Sequence, residues 1–197
     1  MSSKYDAVFD VKKLREYIEE CNHTLDDIWE GTPLRSYPFD NSYNHKALKW
    51  LAEGHASMYG VNVVYDNKPT PKVDFSHYNC VRKEIVLCAF ESDKVDMTRM
   101  LKVFCHELAH HIQNKAVRHD GLKLHDWLYE DFDRVLRYER TAEKLAYYIY
   151  KTYFEFQIKP VSAQSFSAYR SKKHVAYLKA YVESTKVSRS ILGKGKR

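Results

Sequence analysis

The chain has 197 residues, 44% of them apolar and 14% aromatic, with six Gly and five Pro. That composition excludes collagen-like, low-complexity and disordered classes and is enough for one domain with a sizeable core. The net charge of +6 is uneven: from Arg170 onward nine Lys or Arg stand against Glu183 alone, so the basic end, not the body, carries the excess.

No apolar run is long enough to span a membrane, and the opening MSSKYDAVFD lacks the apolar centre of a signal peptide. A cytoplasmic protein without membrane contact is expected. The four cysteines, Cys21, Cys80, Cys88 and Cys105, contain no C-x-x-C pair. They read as reduced, small buried residues rather than as a cysteine-built metal site.

In chain order, Val11, Leu14, Tyr17 and Ile18 have helical spacing, with Asp10 as N-cap. The stretch through Thr32-Pro33 and Tyr37-Pro38 reads as irregular. Asp40-Asn41-Ser42 offers caps for a second helix striped by Ala47, Leu48, Leu51, Ala52 and Met58, and Gly60 suits its C′ position. Val61 to Tyr65 reads as a strand, Val73 to Tyr78 as a second, and Glu84 to Phe90 as the strongest strand in the chain. A helix then starts near Ser92 to Asp96 and presents Met100, Leu101, Phe104, Cys105, Leu108 and Ile112 on its apolar face. Asn114 to Leu124 reads as a loop. One long helix is expected from His125 to Ile158, closed by Pro160. Beyond Ser162 the sequence is polar and basic, with one weakly amphipathic segment and a disordered end from Gly193. The predicted organisation is a lead-in over 1–39, an α+β domain over 40–160 and a basic, partly disordered tail over 161–197.

The third helix carries Cys105-His106-Glu107-Leu108-Ala109-His110-His111, which contains H-E-x-x-H. On a helix His106 and His110 stand one turn apart, so both imidazoles leave one face and suit two corners of a metal site. Glu107 lies beside that face, placed to take a proton from an attacking water. A catalytic zinc site needs a third protein ligand. The next helix has an apolar stripe through Leu128, Phe132, Val135, Ala142, Ala146, Ile149 and Tyr153, with one gap between Val135 and Ala142, and Glu139 stands in that gap. A carboxylate on a core-facing stripe requires a partner, and a metal held by His106 and His110 would supply it. His119 and His125 remain alternative third ligands, and a surface ion pair with Arg137, Arg140 or Lys144 is the alternative role for Glu139. Glu143, one turn on, is placed to orient a ligand imidazole. The metzincin pattern is excluded, because Gln113 stands at its Gly position and Ala116 at its last His position.

His106-Glu107-x-x-His110, followed by Glu139-Arg140-Thr141-Ala142 and Leu145-Ala146, resembles a gluzincin. More narrowly, the chain resembles the small ImmA/IrrE-type metallopeptidases and related phage-encoded domains, over about Asp40 to Tyr153. The resemblance implies a zincin-like minimal fold, with a three-stranded antiparallel sheet packed on the H-E-x-x-H helix and the helix after it. It implies zinc held by His106, His110 and Glu139, with Glu107 as catalytic base, and a host cytoplasm if the protein is phage-encoded. It also places the Ile85–Phe90 strand at the cleft edge, where an extended substrate would add as a further strand. Thr141 departs from the pattern, which has a second acidic residue there. SprT-like proteases, which act on DNA-bound proteins, are the rival resemblance; His125 would then be the third ligand.

The expected activity is hydrolysis of a peptide bond in a protein or peptide substrate. The donor that stabilises the developing oxyanion is open among His111, Tyr138, His77 and Tyr78. For the tail, Lys and Arg interleaved with Tyr169, Tyr177 and Tyr181 make nucleic acid a candidate partner. The alternatives are a solvated segment or an acidic protein partner. The non-enzymatic alternative for the whole chain is a zincin-fold interaction module.

Overall fold

The computed structural model describes residues 3–29, 44–66, 76–88, 97–154 and 161–194. The elements are α1 (Val11–Trp29), α2 (Asn44–Met58), β1 (Asn62–Asp66), β2 (His77–Asn79), β3 (Glu84–Cys88), α3 (Met97–Ala116), α4 (Gly121–Tyr129), α5 (Phe132–Tyr153) and α6 (Lys172–Lys194). A 3-10 helix, Lys4–Phe9, precedes α1, and two more, Ala163–Phe166 and Ala168–Arg170, precede α6. The fold is α+β and mostly helical. Among the described residues no helix is long and apolar enough to cross a membrane.

The centre of the molecule is α3 against α5. Phe104, Cys105, Leu108, Ala109 and Ile112 from α3 and Ala142, Leu145, Ala146 and Ile149 from α5 are all fully buried. The Ala residues let the two backbones approach closely, so polar side chains on the same faces are brought together out of water. Leu14 and Ile18 of α1, Ala52 and Ala56 of α2, and Ile85 and Leu87 of β3 complete this core. Asp10 caps α1 as its position suggests, with Oδ1 accepting from the Lys13 N–H at 3.2 Å. Gly60 takes φ +67 just after α2, where only Gly is unstrained, and the chain turns directly into β1. The strand order is β1-β3-β2.

Several expectations are corrected. The sheet is mixed, not antiparallel: β1 runs parallel to β3, and only β2 is antiparallel to it. β3 is therefore the central strand, and within the described residues its Glu84–Val86 stretch is paired on both sides and offers no free edge to a substrate, while Leu87 and Cys88 pair with β1 alone; β1 and β2 are the edges. The expected loop over Asn114–Leu124 is three parts: α3 continues to Ala116, Arg118 and His119 reverse the chain with φ 59 and 58, and α4 begins at Gly121. A Cβ on Gly121 would stand 2.6 Å from Cys80 Cβ, so Gly is what lets α4 start against the β2–β3 turn. The expected single helix from His125 breaks before α5. Asp131 is extended (φ −136, ψ 120) and caps α5 by accepting from the Asp133 N–H at 3.0 Å.

The two ends are not appendages either. Tyr5, Val8 and Phe9 from the lead-in, Leu124 and Leu128 from α4, Val135 from α5, and Leu178 and Val182 from α6 form a second buried cluster. Within the region read as a tail, residues 172–194 form a helix anchored by an i, i+4 pair of apolar residues, and the end of the chain beyond Lys194, read as disordered, lies outside the described residues. The cap read at Asp40–Ser42, the start of the strand read from Val73, the end of the β3 strand at Ala89-Phe90 and the helix start read at Ser92–Asp96 lie outside the described residues.

Candidate metal centre

His106 and His110 leave the same face of α3, with their Nε2 atoms 3.1 Å apart and their ring planes at 86°. Glu139, from α5, places Oε2 3.3 Å from His106 Nε2 and 3.4 Å from His110 Nε2. In a tetrahedral site with bonds of about 2.0–2.1 Å, adjacent ligand atoms stand about 3.3–3.4 Å apart. The observed triangle has that size, and two imidazoles with one carboxylate form a donor set suited to zinc. Among the described residues, His106, His110 and Glu139 are the group of potential ligands whose donor atoms lie within 4.8 Å of one another. His119 and His125 do not join it. The His125 ring stacks on Tyr129, 4.1 Å between centroids, and the His119 ring lies 5.5 Å from that of His111.

The protonation of His110 follows from its neighbour. Gln113 Nε2 donates to the carbonyls of Val8 and Tyr138, both at 3.1 Å. Its Oε1 must therefore be the atom facing His110 Nδ1, at 3.0 Å, and Nδ1 carries the proton. Tyr138 stacks on the same imidazole at 4.8 Å and 19°, which fixes its plane. Burial works to raise the Glu139 carboxyl, but the imidazoles of His110 and His106 outweigh it and hold the group well below the usual range, so it is ionised. Two imidazole nitrogens and a carboxylate oxygen converge, a donor set that suits a cation at their centre.

Glu107 is buried at the next position on α3. Burial pushes its carboxyl up to about 7; His106 opposes this, Glu139 adds to it, and a hydrogen bond from the Tyr78 backbone opposes it. That bond ties Glu107 to edge strand β2. A carboxyl poised near neutrality beside the triangle is suited to taking and returning a proton.

The remaining polar residues sort differently from expectation. His111 is fully buried. Its Nε2 donates to the Tyr59 carbonyl at 3.0 Å, and its Nδ1 accepts from the Tyr78 hydroxyl at 3.1 Å, which in turn accepts from Asn114 Nδ2 at 3.1 Å. Tyr78 and His111 are committed to this network and are not free oxyanion donors. Among the described residues Glu143 makes no hydrogen bond to the imidazole of His106 or His110. Its Oε1 accepts from the Tyr169 N–H at 2.8 Å. Thr141, where the resembled family is acidic, is buried.

Two residues beside the centre escaped the sequence reading. Gln113 was visible at i+3 from His110, a spacing that puts it against that imidazole. Tyr169, whose backbone N–H donates to Glu143 and whose carbonyl accepts from Arg140, comes from the C-terminal segment and had no signal of position. In comparisons with known proteins, no family model, no curated protein and no solved structure matches the chain.

Proposed function

We propose that the chain is a zinc-dependent metallopeptidase of zincin-like, gluzincin type. The observation that supports this most is the His106–His110–Glu139 triangle with a buried Glu107 carboxyl beside it. A site serving structure alone has no use for a general base next to it. When bound, zinc lowers the pKa of a coordinated water and polarises a carbonyl. Glu107 accepts the proton of the attacking water and delivers it to the leaving amine. The Tyr78 backbone N–H holds Glu107 in place, and Gln113 and Tyr138 hold His110. The substrate is a protein or peptide, and its extended backbone would lie along edge strand β2, which borders Glu107.

Metal analysis by mass spectrometry tests this directly. Purified wild type and His125→Ala carry about one zinc, and Glu139→Ala carries none. Glu107→Gln keeps zinc and loses turnover of a trapped substrate by a factor on the order of 10²–10⁴. Zinc lost in His125→Ala but not in Glu139→Ala would move the chain to the SprT-like alternative. Wild-type turnover in Glu107→Gln would refute the mechanism.

A second role attaches to α6, where Tyr177 and Tyr181 are 74% and 50% exposed. Exposed aromatics among Lys172, Lys173 and Lys179 suit stacking on unpaired bases with phosphate contacts. Wild type should bind single-stranded DNA with an affinity that falls steeply with added salt, and Tyr177→Ala with Tyr181→Ala should weaken it by ten-fold or more, at about 1–3 kcal/mol per stacked base. Binding indifferent to salt and to both tyrosines sinks this role.

A further inference from the structure

The lead-in and the start of α1 lie along α5 and leave a groove of about 360 Å³ between them. Buried Phe9 and Thr141, with half-buried Leu136, form its floor. Its rim is basic: Arg137, Arg140 and Lys144 are exposed and stand at i, i+3 and i+7 on α5. The three cations therefore cover about 10 Å of one helix face, each about a turn from the next. Among the described residues none of them meets a carboxylate, not even Glu139, the partner their spacing offered. Arg134, on the same helix, gives the contrast: ion pairs to Glu130 at 3.3 Å and to Asp131 at 3.6 Å neutralise it. Like charges three or four residues apart on a helix repel, and no acidic partner among the described residues offsets that repulsion here.

We propose that this groove binds a small polyanion of the diphosphate class, held by Arg137, Arg140 and Lys144. Arg137 is steadied from the floor, with its guanidinium carbon 4.3 Å from the centre of the Phe9 ring. Guanidinium N–H groups lie in the plane of the group, so a contact with an aromatic ring leaves donors for an anion. Arg140 gives one Nη2 donor to the Tyr169 carbonyl at 3.3 Å, and the remaining N–H groups of its fork are left to serve a ligand. Arginine forks match phosphoryl oxygens two at a time, and Lys144 adds a point charge at one end. The other end limits the size of the ligand. Asp133 lines the groove one turn before Arg137 without pairing to it. Its carboxylate would repel an acidic peptide or a nucleic-acid backbone running past that end, and so favours a compact ion between Arg137 and Lys144. Three cations against Asp133 leave an excess that suits adjacent anionic groups better than a lone carboxylate. The volume falls within the range of small-ligand sites. None of the groove residues is a proposed metal ligand or the proposed base, so the inference stands apart from the metal-site reading.

Titration calorimetry on the full chain tests this, with a chelator present so that no metal bridges the titrant. The probes are inorganic diphosphate, orthophosphate, hexaglutamate and a single-stranded oligodeoxynucleotide, each added separately. Diphosphate should bind once per chain, about ten-fold or more tightly than orthophosphate. Arg137→Gln should weaken diphosphate by about 10- to 100-fold, the loss expected for a hydrogen bond to a charged group, and Lys144→Gln by less. Asp133→Asn should strengthen it several-fold, a gain that a misfolded variant cannot give. Lys179→Gln, on α6, should leave it unchanged. Diphosphate affinity indifferent to Arg137→Gln, Lys144→Gln and Asp133→Asn, or lost in Lys179→Gln, overturns the groove site. Hexaglutamate or the oligodeoxynucleotide binding more tightly than diphosphate, and losing that affinity in Arg137→Gln, also overturns it, because the occupant would then be an extended chain.

Discussion

α3 carries two buried polar clusters less than a turn apart, and they are built on opposite principles. In the His111 cluster every donor meets an acceptor: imidazole N–H to the Tyr59 carbonyl, Tyr78 hydroxyl to imidazole nitrogen, Asn114 amide to Tyr78 hydroxyl. In the His106–His110–Glu139 cluster, two imidazole nitrogens and a carboxylate oxygen face one another across 3.1 to 3.4 Å. Both contain buried histidines from the same motif, Glu107 separating neither from the other in sequence by more than a few positions. The first leaves only the Asn114 Oδ1 without a partner, and it pins β2 and the end of α2 onto the helix. The second, under the proposed function, is completed by a cation. Burial of a polar group therefore says little about function; the balance of donors and acceptors around it says much more.

A graded series of variants puts that contrast to the test by zinc affinity and by denaturation. His110→Ala should produce the largest loss of affinity, more than about a hundredfold, because it removes a ligand rather than an outer partner. Gln113→Leu should follow at about 10- to 100-fold, since His110 loses the acceptor that fixes its tautomer. It should also cost about 1–3 kcal/mol of stability, because the carbonyls of Val8 and Tyr138 lose their donor. His111→Ala should leave zinc affinity within a few-fold of wild type while destabilising the fold by about 3 kcal/mol, through a cavity and two unsatisfied partners. Equal loss of zinc in His110→Ala and His111→Ala would erase the distinction between the clusters.

A histidine outside both clusters sharpens it with the smallest effect. His55 packs against Phe154 and Tyr153, with centroids at 4.6 and 5.3 Å, and its Nδ1 is sealed from solvent without a hydrogen-bond partner. Burial lowers its pKa from 6.5 to about 4. The folded form binds the proton less readily than the unfolded chain. Its neutral state is therefore at no disadvantage above about pH 6.5, and stability is lost as pH falls from there toward 4, by up to about 2–3 kcal/mol. Urea denaturation of His55→Leu should show a shallower loss between pH 7 and 4.5 than wild type. Parallel pH profiles for the two proteins would remove His55 from the account.

The legible parts of the molecule were those set by spacing within one helix. His106 and His110 share a face because of the helical repeat, and Glu139 stood out because it interrupts an apolar stripe whose other members, Val135, Ala142, Ala146 and Ile149, are buried. What was not legible depends on where separate segments meet. The direction of β1 against β3 is decided by how the chain crosses between them, which strand composition does not encode. The break at Asp131 was written as a cap, but the apolar stripe continues through it, because Leu128 stays buried on α4 while α5 takes a new direction. Among its described side chains α6 offers only Leu178 and Val182 to the interior, too short a stripe to separate a docked helix from a solvated one. Gln113 was read for what it excludes, and its amide turned out to join three segments.

That amide has a consequence for the order in which the protein matures. It holds the Val8 carbonyl on one side and His110 on the other, while Glu143 holds the backbone of Tyr169. The surroundings of the centre thus draw on residues made early and residues made late in synthesis. A nascent chain that has exposed His106, His110 and Glu139 to the cell already has its ligands, but not yet the segment around Tyr169. Metal captured at that moment would sit in a looser site than the finished one, and tight retention would begin only when the last helices have docked. Under the proposed function, retention of metal would then serve as a signature of completed folding.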